Sequence, residues 1–242
     1  DHTLKIIRPT TRYFKKTKQF YRRCKRLVEK TGASLDQAIE HYGKSMKVSA
    51  GELLLGDFVL YPLNTRVVDP PYLDLASYLT KTSQFGPRPR SILYTQPISE
   101  SLLKLLGYWI AEGSNHRAYI RFSLGNHEED FAYEIVKLTE ELFGLKATIH
   151  RRSKEKKKTG LEITVCHVRL ANIFENMCGK GAANKHIPFI LQDMDPLQQK
   201  ILIEAIAKGD GHSFIANRSL KRFKSITTIS RILSEQIVDI LL

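Results

Sequence analysis

Leu102-Leu-Lys-Leu-Leu-Gly-Tyr-Trp-Ile-Ala-Glu-Gly113 is apolar on every side of a helix, apart from Lys104 and a single carboxylate, Glu112, at its end. A helix that is hydrophobic all round is buried all round, and a glycine directly after the acid marks a helix stop. The stretch therefore predicts a core helix that carries one charge to its tip, which costs stability unless something meets that charge. The pattern returns once. Ile201-Leu-Ile-Glu-Ala-Ile-Ala-Lys-Gly-Asp-Gly211 has Asp210 in the place of Glu112. Small residues fall at matching steps, Gly107 and Ala111 in the first copy, Ala205 and Gly209 in the second. Four-residue spacing puts each pair on one helix face, and small faces let two helix backbones approach closely. Side by side, the two helices would deliver Glu112 and Asp210 to one end. Adjacent carboxylates repel unless a cation lies between them, and an all-oxygen site suits magnesium. The rival reading is a pair of core helices whose acids only cap or meet solvent.

Both stretches resemble the LAGLIDADG motif of homing endonucleases in its two-motif, single-chain form. The resemblance implies an α+β fold of two αββαββα half-domains about a pseudo-two-fold axis, with the motif helices at their interface. It also implies that Glu112 and Asp210 bind Mg²⁺ and that each helps to cut one DNA strand. Asn184-Lys185-His186-Ile187-Pro188 resembles the Lys-x-Ile-Pro block of intein-type members, whose lysine lies in the active site. Lys185 is thereby a third catalytic candidate, since a lysine near a scissile phosphate can stabilise developing negative charge. Its rival role is a surface lysine before a helix-entry proline.

Composition supports a polyanionic partner. Among 242 residues, 38 Lys and Arg stand against 25 Asp and Glu, a net charge of +13. Neither a basic amphipathic anchor nor a long uncharged apolar run is present, so no membrane partner is expected. Cys24, Cys166 and Cys178 are odd in number and lack Cys-x-x-Cys spacing, which suits a reducing compartment rather than disulfides or zinc. Nothing at the start reads as a secretory signal. A cytoplasmic, nucleoid-accessible monomer with internal pseudo-symmetry, bound to double-stranded DNA at a long specific site, is the expectation.

Outward from the motifs, the region before residue 96 changes character. Residues 10–30 interleave Tyr13, Phe14, Phe20 and Tyr21 with Lys15, Lys16, Lys18, Arg22, Arg23, Lys25 and Arg26. Such a run can neutralise phosphates, or it can be a solvated helix whose aromatics are core. Gly32 and Ser34 then predict a turn and an N-cap before a second short helix from Leu35 to about Tyr42. Ala50-Gly-Glu-Leu-Leu-Leu-Gly-Asp-Phe-Val59 resembles the Ala-x-x-Leu-x-x-Gly-Asp-x-Val strand pair of the Hint splicing fold. The resemblance implies a small β-rich Hint-like remnant with a basic helical insertion, and an upstream histidine that assists the first acyl shift, for which His2 is the candidate. Neither a Cys or Ser at the first position nor a terminal His-Asn pair is present, which counts against splicing by these residues; a nucleophile upstream and a His-Asn pair downstream would be the mark of a splicing element. Prolines 70, 71, 87, 89 and 97 mark residues 63–100 as a connector with one short helix near Leu73–Leu79. Two domains follow, 1–95 and 96–242, divided by a composition shift near residue 95.

Past the first motif, Tyr119, Arg121 and Ser123 alternate with Ile120, Phe122 and Leu124, the pattern of a strand with one polar face. Helices are expected at 128–143 and 170–177, and strands at 146–152 and 161–168. On this sheet Tyr119, Arg121, Ser123, His150 and Arg152 are the candidates for a DNA-facing surface, because a β-ribbon fits the major groove, and the basic hairpin tip at residues 151–158, with Arg151, Arg152 and Lys154, is the candidate for holding phosphates. Arg218, Lys221, Arg222 and Lys224 hold the same place after Asp210, between strands expected at 212–216 and 222–230. The helix from Ile232 follows, and the second half-domain is expected to be incomplete. The resulting expectation is a metal-dependent, site-specific, intein-encoded DNA endonuclease. The alternatives are a non-cleaving, maturase-like binder or a protein-splicing element with a degenerate nuclease.

Overall fold

The computed structural model describes residues 3–9, 17–60, 67–80, 90–151, 160–215 and 222–241. Contacts divide the chain into two compact units, Asp1–Leu63 and Asn64–Leu242. The break falls earlier than the composition shift near residue 95. Leu73, Leu75 and Ile92 are the reason: although they lie in the proline-rich stretch, all three bury in the core of the second unit.

The first unit holds an antiparallel sheet in the order β2-β1-β3, from β1 (Thr3–Pro9), β2 (Gly43–Ser49) and β3 (Phe58–Val59). Between β1 and β2 run helices α1 (Thr17–Thr31) and α2 (Leu35–Tyr42). Gly32 takes φ +70°, which ends α1 in a conformation that favours glycine. Ser34 caps α2 through a capping box with Gln37. Ile7, Phe20, Cys24 and Ala38 form the small core, with Phe58 against Phe20 at 5.0 Å. The Gly56-Asp57 turn is tied to β1. Both carboxylate oxygens of Asp57 accept from Arg8, at 2.7 and 2.8 Å, and the Arg8 hydrogen bonds are first among the causes that hold this carboxyl down at about 2.

The second unit opens with a strand pair, β4 (Tyr72–Asp74) and β5 (Thr95–Pro97), and a 3-10 turn over Leu75–Tyr78 where a short helix was expected. Then follow α3 (Glu100–Glu112), β6 (Gly113–His116), β7 (Tyr119–Leu124), α4 (Glu129–Phe143), β8 (Ala147–Arg151), β9 (Leu161–Cys166) and α5 (Val168–Cys178). The four strands form an antiparallel sheet in the order β6-β7-β9-β8. Ile120, Phe122, Leu124, Ile163 and Val165 point to one side and are buried beneath the helices. Trp109 of α3 meets Phe122 and Phe174 edge-on at 5.8 and 5.2 Å. Gly144, at φ +61°, closes α4 with its amide on the Glu140 carbonyl.

The chain next forms α6 (Pro196–Asp210), β10 (Gly211–Ile215), β11 (Arg222–Ile226) and α7 (Arg231–Leu241), so the order helix, strand, strand, helix occurs a second time. Eight of the thirteen residues of α3 are buried, from Leu102 through Ile110. Helix α6 lies against α3, with Leu202, Ile203, Ala205 and Ile206 inside.

Candidate active site

The small residues set how closely α3 and α6 approach. A Cβ placed on Gly107 falls 2.4 Å from the Ala205 Cβ, and one on Gly209 falls 2.7 Å from the Ala111 Cβ. Gly107 thus faces Ala205, and four residues on Ala111 faces Gly209, so the helices run in the same direction. Both acids arrive at the same end. The Glu112 side chain lies across Gly209, where an added Cβ would sit 2.9 Å from its Cγ.

That end is hostile to two anions. Each carboxylate stands at the C-terminus of a helix, where the helix dipole is negative. Burial is the main influence on both acids. It pushes Glu112 up to about 7, with Asp210 and then Glu128 adding to the shift. Asp210 is also raised by burial, against an opposing pull from Lys185. A bound cation would favour the charged form of both acids.

Lys185 stands beside them and is only 4% exposed. Its Nζ donates to the Trp109 carbonyl at 2.8 Å and sits 3.9 Å from the centre of the Trp109 ring. Burial lowers its pKa to about 8, opposed by Cys178 and Asp210. Its backbone is held from α7. The Ser230 hydroxyl donates to the Lys185 carbonyl at 2.6 Å, and the Gln236 amide takes the Ile187 N–H at 2.8 Å and donates to the Ile187 carbonyl at 2.9 Å. A cavity of about 380 Å³ opens here, lined by Ala111, Ser114, Lys185, Asp210 and Thr227 among others. Of the two acids, Asp210 lines this cavity, while Glu112 lies across Gly209. Carboxylate oxygens beside a space with room for several waters are donors of the kind magnesium takes, since it keeps much of its hydration.

The sheet's other side is open. Strand pairing sets Arg121 opposite Ser114 and Thr164, Tyr119 opposite His116 and Cys166, and Ser123 and His150 opposite Glu162. Tyr119, Arg121, Ser123 and His150 therefore share one polar face, while Ile120, Phe122 and Leu124 take the other. Arg121 pairs with Glu162 at 3.1 Å, and His116, which the sequence did not single out, stacks on Tyr119 at 5.0 Å. Arg151 is separated from this group. It pairs with Leu161 in register, points to the helix side and meets Glu129 at 2.6 Å. Arg222 and Lys224 fall on β11 opposite Ile215 and Ser213. Arg152, Lys154, Arg218 and Lys221 lie outside the described residues, as do His2, Tyr13, Phe14, Lys15 and Lys16. Ser230, Gln236 and Trp109 are further contributors with no local signal, because their roles arise only where distant segments meet.

Residues 99–179, from the N-cap of α3 at Ser99 to the C-cap of α5 at Gly179, match the family described as LAGLIDADG-like domain. The chain contains a LAGLIDADG-like domain. Two curated relatives extend the comparison. An uncharacterized protein of Methanocaldococcus jannaschii is 31% identical over 67% of this chain and 20% of its own length. An ATP-dependent DNA helicase of Thermococcus kodakarensis is 25% identical over 65% of this chain and 14% of its own length. The chain thus spans a fifth or less of these relatives. Among the described residues, no helix is long and apolar enough to cross a membrane.

Proposed function

We propose that the chain is a metal-dependent, site-specific DNA endonuclease of intein origin. The observation that carries this reading is the parallel packing of α3 and α6, which brings Glu112 and Asp210 to one end with Lys185 beside them. Glu112 and Asp210 would hold Mg²⁺, which supplies positive charge for activating water and stabilising the leaving oxygen. The residues do the rest. The two carboxylates fix where the scissile phosphates sit, one for each strand. Buried beside Asp210, Lys185 offers charge to a phosphate oxygen once it is drawn from the Trp109 carbonyl. The open sheet face, with Tyr119, Arg121, Ser123 and His150, lies along the groove and selects sequence, while phosphate contacts give salt-dependent affinity.

The repeated order α3-β6-β7-α4 and α6-β10-β11-α7 supports a pseudo-two-fold arrangement in which each half serves one strand. A match confined to a fifth or less of two larger proteins supports an inserted, intein-encoded element. The Gly56-Asp57 turn between short strands supports a Hint-like remnant in residues 1–63. One observation favours a second reading, a binder without cleavage. Lys185 already donates to Trp109 at 2.8 Å, as a helix-capping group would.

The test is magnesium-dependent cutting of duplex DNA that joins the host-gene segments flanking the chain's coding sequence. The expected result is cleavage by the wild type, nicking or no cleavage by Glu112→Gln and Asp210→Asn, and retained binding in both. Binding with no cleavage by the wild type would move the conclusion to the second reading.

A further inference from the structure

We propose that the outward face of α1 is a separate docking surface for the phosphate backbone of duplex DNA, one that holds DNA without reading its sequence. It goes beyond the cleavage reading and does not depend on it. Residues 1–63 carry 13 Lys and Arg against 6 Asp and Glu, a net +7 that is more than half of the chain's +13. Helix α1 concentrates that charge. Its inward side is Phe20, Cys24, Leu27 and Val28, packed with Ile7 and Ala38. On the opposite side Lys18, Arg22, Lys25 and Arg26 follow at steps of four, three and one, all exposed. Among the described residues, this helix forms one ion pair, Lys25 with Glu29 at 4.0 Å between two exposed groups. Such a pair contributes little and yields readily to a phosphate. From Lys18 to Arg26 the helix rises about 12 Å, a length that spans three or four phosphates of one strand.

The partner follows from what each face has left to offer. A membrane-surface helix must insert an apolar face, and the apolar face of α1 is already buried in its own unit. A helix-turn-helix would place the second helix in the groove. Here α2 turns Asp36 and Glu40 outward, which phosphates would repel. The first helix is therefore the one that meets DNA. Point charges on long exposed stems fix no base pattern, so the surface adds affinity rather than specificity.

The experiment uses the full chain in EDTA with a labelled mixed-sequence duplex, and affinity is measured across a salt series. Neutralising Lys18, Arg22, Lys25 and Arg26 to Gln preserves helix propensity and should reduce the slope of log affinity against log salt by about three to four. Exchanging each Lys for Arg and each Arg for Lys should leave the slope unchanged. So should a control with Lys137→Gln, on the exposed side of α4. An unchanged slope in the fourfold Gln variant overturns the proposal and leaves the cleavage reading standing. It is also overturned if the variant loses more affinity for a single-stranded RNA, or for vesicles with phosphatidylserine, than for the duplex. Failure of the wild type to hold the mixed-sequence duplex at low salt overturns it too, and cleavage at the joined host site is then scored separately.

Discussion

Gly107→Ala tests the geometry on which the active-site reading depends. The new methyl would lie 2.4 Å from the Ala205 Cβ, 3.0 Å from the Leu202 carbonyl oxygen and 3.1 Å from the Ile206 nitrogen. Ordinary contact begins near 3.4 Å, so α3 and α6 must separate by roughly 1 Å or distort. None of the three neighbours is a flexible side-chain end, and none can rotate away. Overpacking of this kind costs about 1–3 kcal/mol. Alanine in a helix interior returns about 1 kcal/mol relative to glycine. The net loss is up to about 2 kcal/mol, or up to about 8 °C in Tm for a unit of this size. Ala205→Gly opens the space again, so the double variant should be more stable than the sum of the single changes, with a coupling of about 1–2 kcal/mol. Calorimetric melts of the four proteins read this directly. A Gly107→Ala chain that melts higher than wild type, with no coupling to Ala205→Gly, would show that the two helices do not touch at this point and would remove the reason for placing the acids together.

Other outcomes follow from the same site. A Glu112 carboxyl raised to about 7 keeps a proton in the folded chain that the unfolded chain loses near its ordinary value, about 4.3. Metal-free stability should therefore fall as pH rises from about 4.5 to 7, by about 1–2 kcal/mol after allowing for solvent screening at a half-exposed group. Melts across that window should show the fall in the wild type, and it should flatten in Glu112→Gln and on adding magnesium. Lys185→Met keeps most of the packing and removes a buried charge, so Tm should change by less than about 3 °C while cleavage drops at least tenfold; a large loss of Tm with unchanged cleavage would make the lysine a structural cap. Arg121→Ala should weaken binding to the target duplex roughly tenfold by removing a groove-facing cation, whereas Arg151→Ala, on the helix side of the sheet, should remain within about twofold; equal losses would contradict the assignment of the open face.

What could be read from the sequence is what short-range physics dictates. An all-round apolar run ending in acid and glycine allows little but a buried helix with its charge at the tip. The structure explains the glycine. A Cβ on Gly113 would fall 2.3 Å from Trp109, and one on Gly211 would fall 2.0 Å from the Ala207 carbonyl oxygen. The small faces at Gly107, Ala111, Ala205 and Gly209 were legible for the same reason, since spacing alone places them together. Strand β6 was not. Gly113-Ser-Asn-His116 has no apolar alternation, and it becomes a strand only because β7 pairs with it. The side taken by Arg151 follows from its being the last residue of β8 rather than part of a basic hairpin tip, so that it alternates with His150 and joins the side of Ala147 and Ile149. The hold of Ser230 and Gln236 on the Lys185 block depends on contacts 45 and 49 residues apart.

The close approach of α3 and α6 and the electrostatic cost of their tips are two sides of one arrangement. Bringing the helices to contact at Gly107 and Gly209 also brings Glu112 toward Asp210, and burial at that contact raises both carboxyls. A chain selected for stability alone would relieve this by placing neutral residues at the tips, as Glu112→Gln would do. The core offsets the cost instead: Leu102, Leu105, Leu106 and Trp109 are fully buried directly behind the acid. From the other side, Ser230 and Gln236 anchor the backbone on either side of His186 and leave the Lys185 ammonium on the Trp109 carbonyl, in the last turn of α3. Helix packing, carboxylate protonation and the lysine's position should therefore move together. In Gly107→Ala, a separation of the helices should lower the Glu112 pKa toward its ordinary range, because exposure returns water to the carboxylate and distance weakens its repulsion by Asp210.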